Sequence, residues 1–292
     1  MIRAGTPQRG LTLVELLVSL ALTCVLTIAS AQLYETGSAS YRTVDEAQAM
    51  EDTGRLALDL IGRSVRQAGF RNFTQRDASG AAHTRRAGAG ISPGVRGYDN
   101  SRTTPVTLNQ GDGRTGSDGL NGSDTLALRF HGSSLPNDPA EPDGTVIDCL
   151  GIAQRTPVSE TDIGLSLFAV DIGSSGEPEL RCTSAGKPSS RKRQTQPIAL
   201  GVESFQVAYG SDTDGDGLPE TWSDATGVAA WSRVAAVRVG LVVRGSPGSA
   251  QGTQAARLHP LGESFGTAFN APADGRLRRV FTASWQLRNA QE

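Results

Sequence analysis

A long apolar segment close to the N-terminus restricts this chain more than any other feature. Residues 11–33 read LTLVELLVSLALTCVLTIASAQL, in which Glu15 is the one charged side chain. About 20 apolar residues in a helix are enough to cross the hydrocarbon core of a bilayer. Arg3 and Arg9 precede the segment and favour a cytoplasmic start. The segment therefore predicts a helix that is surrounded first by lipid or by other helices.

An ordinary secretory signal peptide is the alternative interpretation of this segment. Signal peptides have an apolar stretch of about 7–15 residues followed by a cleavage site of small residues. Ala29, Ser30 and Ala31 resemble such a site, but the apolar stretch here is longer. A signal peptide also gives no reason for the glutamate inside the stretch.

Glu15 lies only five residues into the apolar segment. A carboxylate at membrane depth costs about 2.5–3.5 kcal/mol on insertion scales, and such residues usually have a functional partner. The alternative is a glutamate near the interface whose carboxylate reaches the lipid headgroups. The functional interpretation predicts a cationic partner for Glu15.

The junction before the segment resembles the class III leader of type IV prepilins, because Arg9 and Gly10 are followed by LTLVELLV. The resemblance implies a leader at 1–10 that the prepilin peptidase removes after Gly10, and N-methylation of the new amine at Leu11. Leu11 departs from the phenylalanine that the family usually has there. Glu15 would then pair with such an amine on a neighbouring subunit, since a buried charge requires a partner.

The helix is predicted to continue beyond the membrane segment 11–33. Residues 34–70 form an amphipathic continuation, without proline as far as Ala68, and Gly69 is a plausible end. A break into two helices near Gly37 is the alternative. The proposed apolar stripe has residues at steps of three and four, and these are Val44, Ala47, Gly54, Leu58, Ile61, Val65 and Ala68.

Residues 71–292 are predicted to form a β-rich head with long loops, of which 71–122 is the longest. Several later segments alternate apolar and polar residues, which is typical of half-buried antiparallel strands. The predicted strands are 125–130, 146–152, 165–170, 179–182, 198–209, 234–244 and 279–288. The fold class expected is α+β, with the long N-terminal helix packed on an antiparallel sheet.

The charge balance and the cysteines indicate which partners and which compartment to expect for the head. The 28 basic and 30 acidic residues give a net charge of −2, which predicts no nucleic-acid partner. Cys149 and Cys182 follow the apolar segment, whereas Cys24 lies inside it. A disulfide between Cys149 and Cys182 would suit an exported protein, and two free buried thiols are the alternative.

An aspartate-rich segment is the candidate metal site. Asp212, Asp214 and Asp216 alternate with other residues before Leu218 and Glu220. Ca²⁺ takes six to eight oxygen ligands, and such spacing wraps a chain around an ion, with the Leu218 carbonyl as a further donor. The segment lacks the EF-hand glutamate at the twelfth position. A solvated acidic turn is the alternative to a calcium site.

The head segments VESFQVAYG, VAAVRVGLVVR and RVFTASWQLRN resemble, in this order, PilW-type minor pilins. The resemblance implies a non-enzymatic subunit that helps to initiate pilus assembly and forms a tip complex with other minor pilins, the major pilin and a tip adhesin. It implies anchoring in the inner membrane with a periplasmic head, and later a place in the surface pilus. A J-type minor pseudopilin of type II secretion and a membrane-tethered, calcium-dependent adhesin are the alternatives.

Overall fold

One helix occupies the N-terminal part of the protein. The computed structural model describes residues 12–72, 94–101, 116–157, 163–187, 192–250, 255–265 and 267–289. Helix α1 runs over Leu13–Gln67, which corresponds to a rod of about 80 Å at 1.5 Å per residue. The helix continues through Gly37, so the alternative of two separate helices is wrong.

Both ends of α1 have hydrogen-bonded caps. Thr12 is the N-cap and forms a reciprocal capping box with Glu15, the third helical residue. At the other end the N–H of Ala68 donates to the carbonyls of Ser64 and Val65, and Gly69 follows with a φ of +76°. A left-handed glycine directly after the helix is a common C-terminal stop.

The second half of α1 has one buried face. Its buried side comprises Met50, Gly54, Ala57, Ile61, Gly62, Ser64, Val65 and Ala68. The predicted stripe is correct in its second part, but Val44 is exposed. Val44 precedes Met50 by six residues, so it lies about 120° around the helix from the buried face.

Thirteen strands form the head. They are β1 (Gly94–Tyr98), β2 (Thr125–Phe130), β3 (Ser134–Leu135), β4 (Asp138–Pro142), β5 (Gly164–Ile172), β6 (Pro178–Ser184), β7 (Gln194–Leu200), β8 (Val202–Ser211), β9 (Thr221–Ser223), β10 (Val234–Arg244), β11 (Ala256–Leu258), β12 (Phe269–Ala271) and β13 (Arg278–Gln286), among the described residues. All of their pairings are antiparallel. The α+β class expected from the sequence is confirmed.

Two sheets share one hydrophobic core with α1. The first has the order β1-β2-β5-β6-β7, and the second has the order β13-β10-β8-β9. Leu128 and Phe168 of the first sheet belong to the same buried cluster as Phe205 and Leu241 of the second and Ile61 of α1. The helix and both sheets therefore depend on each other for the burial of their apolar faces.

Gly201 divides what the sequence predicted as one strand over 198–209. It has a φ of +75° and separates β7 from β8, which belong to different sheets. A left-handed backbone is inexpensive only for glycine. The single-strand prediction is wrong because the apolar pattern continues across a residue whose backbone turns the chain between sheets.

Two other segments differ from the prediction. Residues 146–152 form a turn around Asp148, whose Oδ1 accepts from the N–H groups of Leu150 and Ile152, rather than a strand. Strand β1 lies within 71–122, which was predicted to be loop. Its sequence GVRGY contains two glycines and an arginine, which hide the strand pattern.

Glycines on α1 let the last strand approach the helix closely. A Cβ atom on Gly54 would lie 2.5 Å from the Phe281 ring, and one on Gly62 would lie 2.5 Å from the Trp285 ring nitrogen. Both aromatic side chains come from β13. Each ring therefore occupies the space that a side chain would fill at the corresponding helix position.

Candidate functional site

The N-terminal end of α1 carries the predicted assembly residue. Gly10 and Leu11 lie outside the described residues. Glu15 is exposed, and its Oε2 accepts from the Thr12 N–H at 3.2 Å and from the Thr12 hydroxyl at 3.1 Å. Its other carboxylate oxygen, Oε1, accepts no hydrogen bond within the described part of the chain. One carboxylate oxygen thus holds the helix end while the other can face a cation.

The first half of α1 is an uncovered apolar rod. Its large hydrophobic side chains at positions 13–33 are 53–77% exposed, so the head does not contact them. Among the described residues, α1 is the one helix that is long and apolar enough to cross a membrane. This surface can be desolvated only by lipid or by helices of other chains.

The aspartate-rich segment forms the hairpin loop between β8 and β9. Carboxylate oxygens of Asp212, Asp214, Asp216 and Glu220 all lie within 4.8 Å of one another. Ca²⁺ binds oxygen at 2.3–2.6 Å, so ligand atoms on opposite sides of an ion are separated by about 5 Å. The spacing between these four carboxylates therefore fits a calcium ion.

Backbone N–H groups hold the loop in its curved form. Asp212 accepts from Gly215 at 2.5 Å and from Gly217 at 2.8 Å, and these bonds lower the pKa of its carboxyl group. The N–H of Leu218 donates to Asp216 at 2.7 Å, so this residue packs its backbone against the cluster. The N–H of Thr213 donates to Glu220 in the same way, at 2.6 Å.

The loop is also joined to the second sheet. Gln286 Nε2 of β13 donates to the Gly217 carbonyl at 2.6 Å, and an Arg233 guanidinium nitrogen donates to the Thr213 carbonyl at 2.9 Å. Asp224, which follows the EF-hand position at Ser223, accepts from the N–H of Gly227 and belongs to another turn. Asp224 is therefore not one of the four clustered carboxylates, and Glu220 is the fourth.

A disulfide joins Cys149 to Cys182, with the two Cα atoms 6.2 Å apart. It connects the turn before β5 to strand β6 of the first sheet. Asp148 lies beside it, and burial raises the pKa of this carboxyl although Ser184 and Gln154 donate to it. Cys24 is a free and exposed thiol on the apolar rod.

Two carboxylates, the buried Asp124 and the half-buried Asp99, connect the two sheets, and no local sequence pattern marks them. Asp124 accepts from the N–H groups of Asn100 at 3.0 Å and Val207 at 2.8 Å, which belong to opposite sides of the core. Burial raises the pKa of Asp124 to about 7. Burial also raises the pKa of Asp99, which accepts from the N–H of Ala225 at 2.9 Å.

Two family models match the chain. The model of the prokaryotic N-terminal methylation motif matches residues 6–31, and that of the type IV pilus-assembly protein W matches residues 167–289. The first match includes Glu15 and most of the apolar segment, and the second begins within β5 and includes the whole second sheet. The chain is a type IV pilin-like protein of the PilW type.

Comparison with solved structures and with curated proteins adds two findings for this PilW-type pilin. A type IV-like pilin from Thermus thermophilus is 16% identical, with a TM-score of 0.42. The alignment covers 83% of this chain and 98% of that one. No curated protein matches the chain.

The candidate residues of the PilW-type pilin fall in different matched segments and in different parts of the molecule. The match over 167–289 includes Cys182 and the whole acidic loop, whereas Cys149 precedes it. Glu15 lies in the methylation motif, at the far end of α1 from the head. The predicted assembly residue and the predicted metal cluster are therefore separate sites.

Proposed function

We propose that this PilW-type pilin is a minor pilin of the type IV pilus, which is anchored in the inner membrane before assembly and helps to initiate the filament. The observation that carries the proposal is the uncovered apolar half of α1, which continues without a break into the face that packs on the head. Lipid can cover this surface before assembly, and helices of other subunits can cover it afterwards. The role is structural rather than catalytic.

Processing and docking follow from the same end of the helix. We propose that the prepilin peptidase cuts after Gly10 and that the new amine at Leu11 is methylated and remains cationic. The free oxygen of Glu15 can then accept from this amine on a neighbouring subunit. Such a buried pair penalises every other stagger of the two helices, because each wrong stagger leaves two charges unpaired.

Mass spectrometry of the mature N-terminus tests the processing step. The expected mature chain begins at Leu11 and carries one additional methyl group. A mature chain that begins near Gln32 contradicts the proposal, because it shows ordinary secretion with loss of the apolar segment.

Substitution of Glu15 tests the docking step. Glu15→Ala should remove most copies of the protein from sheared filaments while leaving the amount in the membrane unchanged. Glu35→Ala is the matched control, because Glu35 is exposed on the same helix but lies after the apolar segment. Equal incorporation of both variants contradicts the pairing of Glu15 with an amine.

The partners proposed are other minor pilins, the major pilin and a tip adhesin, with the head in the periplasm until the pilus emerges at the surface. The disulfide supports a head outside the cytoplasm, where thiols oxidise. Deletion of the gene should abolish surface pili. Loss of type II secretion with normal pili would indicate a J-type pseudopilin instead.

We also propose that the acidic loop binds Ca²⁺ through Asp212, Asp214, Asp216 and Glu220, with the Leu218 carbonyl as a further ligand. The proposal is supported by four carboxylates whose oxygens lie within 4.8 Å of one another, and whose mutual repulsion a divalent cation would remove. Bound calcium would fix the β8–β9 hairpin. The close spacing of these four carboxylates is the observation that favours the second candidate function, a calcium-dependent adhesin.

Calcium binding is tested by thermal unfolding of the detergent-solubilised chain with and without Ca²⁺. The melting temperature should rise with calcium, and the rise should vanish in Asp214→Ala. Glu141→Gln, an exposed carboxylate on β4, is the control and should retain the rise. A wild-type melting temperature that is insensitive to calcium contradicts the site, and normal pili with poor attachment after gene deletion would indicate the adhesin.

A further inference from the structure

Strand β13 has an open edge whose free backbone groups can be assigned from its register. The strand lies at one end of the second sheet and, among the described strands, pairs with β10 alone, in a register without shifts. The N–H of Leu287 donates to Ala235, and the N–H of Gly245 donates to the carbonyl of Leu277. Hydrogen-bonded pairs recur at every second residue of an antiparallel ladder. The odd-numbered residues of β13 therefore direct their N–H and C=O groups toward β10. The even-numbered residues direct theirs away from the sheet.

The residues that carry these outward groups are exposed over the second half of the strand. These residues are Arg278, Val280, Thr282, Ser284 and Gln286, and the last three are exposed. The N–H groups at 280, 282, 284 and 286 donate to no group within the described part of the chain. An edge with several free donors and acceptors is a template for another strand.

The other long edge is protected against such pairing. Strand β7 closes the first sheet at the opposite side, and it carries Pro197 and a register shift against β6 between Leu180 and Arg181. Proline and bulges are the usual protection of exposed edges. Strand β13 has nine residues, no proline and no shift, which makes it the longest regular open edge among the described strands.

The charge beside the open edge is positive. Arg279 and Arg55 both bind the single carboxylate of Glu51, at 2.8 and 2.7 Å, so one guanidinium is in excess. Arg288, just after the strand, is exposed and has no ion pair within the described residues. No acidic residue occurs in β13 itself. An added strand with acidic side chains near its ends would match this edge.

We propose that β13 accepts an extended, acidic strand of a neighbouring filament subunit, which continues the second sheet across the subunit boundary. This inference rests on the proposed function, because it requires that the chain enters a filament. The outward N–H and C=O groups of Thr282 and Ser284 supply the hydrogen bonds, and Arg279 and Arg288 select the acidic partner. The head is then joined to its neighbour independently of the α1 helices.

Thr282→Pro tests the inference, because it removes an outward N–H without removing a bond to β10. Edge strands tolerate such a proline, as β7 does in this protein. Thr282→Ala is the matched control, since both variants lose the bond from the Thr282 hydroxyl to the Pro260 carbonyl but only proline removes the N–H. Copies per sheared filament should fall about tenfold in Thr282→Pro and should stay near wild type in Thr282→Ala.

Equal incorporation of Thr282→Pro and Thr282→Ala overturns the inference, provided that deletion of the gene abolishes pili. Pili that are unaffected by the deletion instead contradict the proposed function. If the melting temperature of Thr282→Pro is well below that of Thr282→Ala, its poor incorporation could come from unfolding. Hydrogen exchange of the wild-type chain then tests strand pairing at β13 directly. Exchange at Val280, Thr282 and Ser284 should slow about tenfold when the chain is purified with its co-expressed minor pilins, and unchanged exchange overturns the inference.

Discussion

At the scale of single residues, the head buries the carboxyl group of Asp124 between its two sheets. Asp124 is only 5% exposed, and its two oxygens bind N–H groups from both sides of the core. Desolvation outweighs these bonds and raises the pKa of the carboxyl to about 7. Asp99 and Tyr209, which lie nearby, add no positive charge. The protein therefore loses stability when Asp124 ionises.

The pH dependence of stability follows from this shift. In the unfolded chain an aspartate has a pKa of about 3.9, so between pH 4 and 7 the folded state binds the additional proton. The stabilisation is complete below about pH 4 and is lost as the pH rises through 7. In the wild type, ionisation of Asp124 lowers the unfolding free energy by up to about 4 kcal/mol across this window. We expect Asp124→Asn, which stays neutral, to lack this contribution.

Urea unfolding of the detergent-solubilised chain at several pH values between 4 and 8 measures this effect. Asp138→Asn, an exposed position on β4, is the control and should retain the wild-type slope. Part of the slope should persist in Asp124→Asn, because Asp99 and Asp148 also have raised pKa values. An unchanged slope in Asp124→Asn would contradict the burial argument.

At the scale of elements, the packing of α1 on β13 depends on two helical glycines. Gly54 and Gly62 leave room for the rings of Phe281 and Trp285. Glycine in a helix costs up to about 1 kcal/mol relative to alanine. Alanine at either position would force an aromatic ring to move, and overpacking of a core costs about 1–3 kcal/mol.

We expect Gly54→Ala and Gly62→Ala to lower the unfolding free energy by up to about 2 kcal/mol, which is the overpacking cost less the gain in helix propensity. The matched control is Gly37→Ala on the same helix, because a Cβ atom there has no neighbour within 4 Å. This variant should show unchanged stability or a small gain. Chemical unfolding of the three variants distinguishes the two cases, and a stabilised Gly54→Ala would show that the rings do not require the space.

Sequence patterns predicted the strongly periodic elements and missed those that depend on single residues. Strands β2 and β10 have the predicted bounds, because each alternates over its full length. The predicted strand over 146–152 is wrong because Asp148 bends the chain into a turn. The apolar residues around Asp148 resemble a strand pattern and do not indicate this turn. The cluster of Asp212, Asp214, Asp216 and Glu220 was predicted from spacing alone. The buried role of Asp124 could not be predicted, since no local pattern marks it.

At the scale of the whole molecule, the two sheets meet at Gly201. Its φ is +75°, and a Cβ atom would lie 2.8 Å from the Arg244 carbonyl oxygen. The residue therefore combines a left-handed backbone with a close approach. It directs the chain from β7 in the first sheet to β8 in the second, so its conformation fixes how the sheets face each other.

We expect Gly201→Ala to destabilise the head by about 2–3 kcal/mol, because it adds a clash to the cost of a left-handed alanine. Gly144→Ala isolates the second cost, since Gly144 has a φ of +81° and open space around its Cα atom. That variant should lose only about 1 kcal/mol. Calorimetric melting of both variants checks the difference, and equal losses would contradict the role of the Arg244 contact.

The spacing of Gly54 and Gly62 on α1 has a mechanical consequence. Gly54 and Gly62 are about 12 Å apart along the helix axis, and Phe281 and Trp285 are about 13 Å apart along their strand. Phe281 and Trp285 therefore pack against Gly54 and Gly62 together, at a single alignment of strand and helix. A displacement of α1 along β13 would move both rings away from these glycines at the same time. Tension on the anchored end is delivered to the C-terminal strand and through it to the sheet.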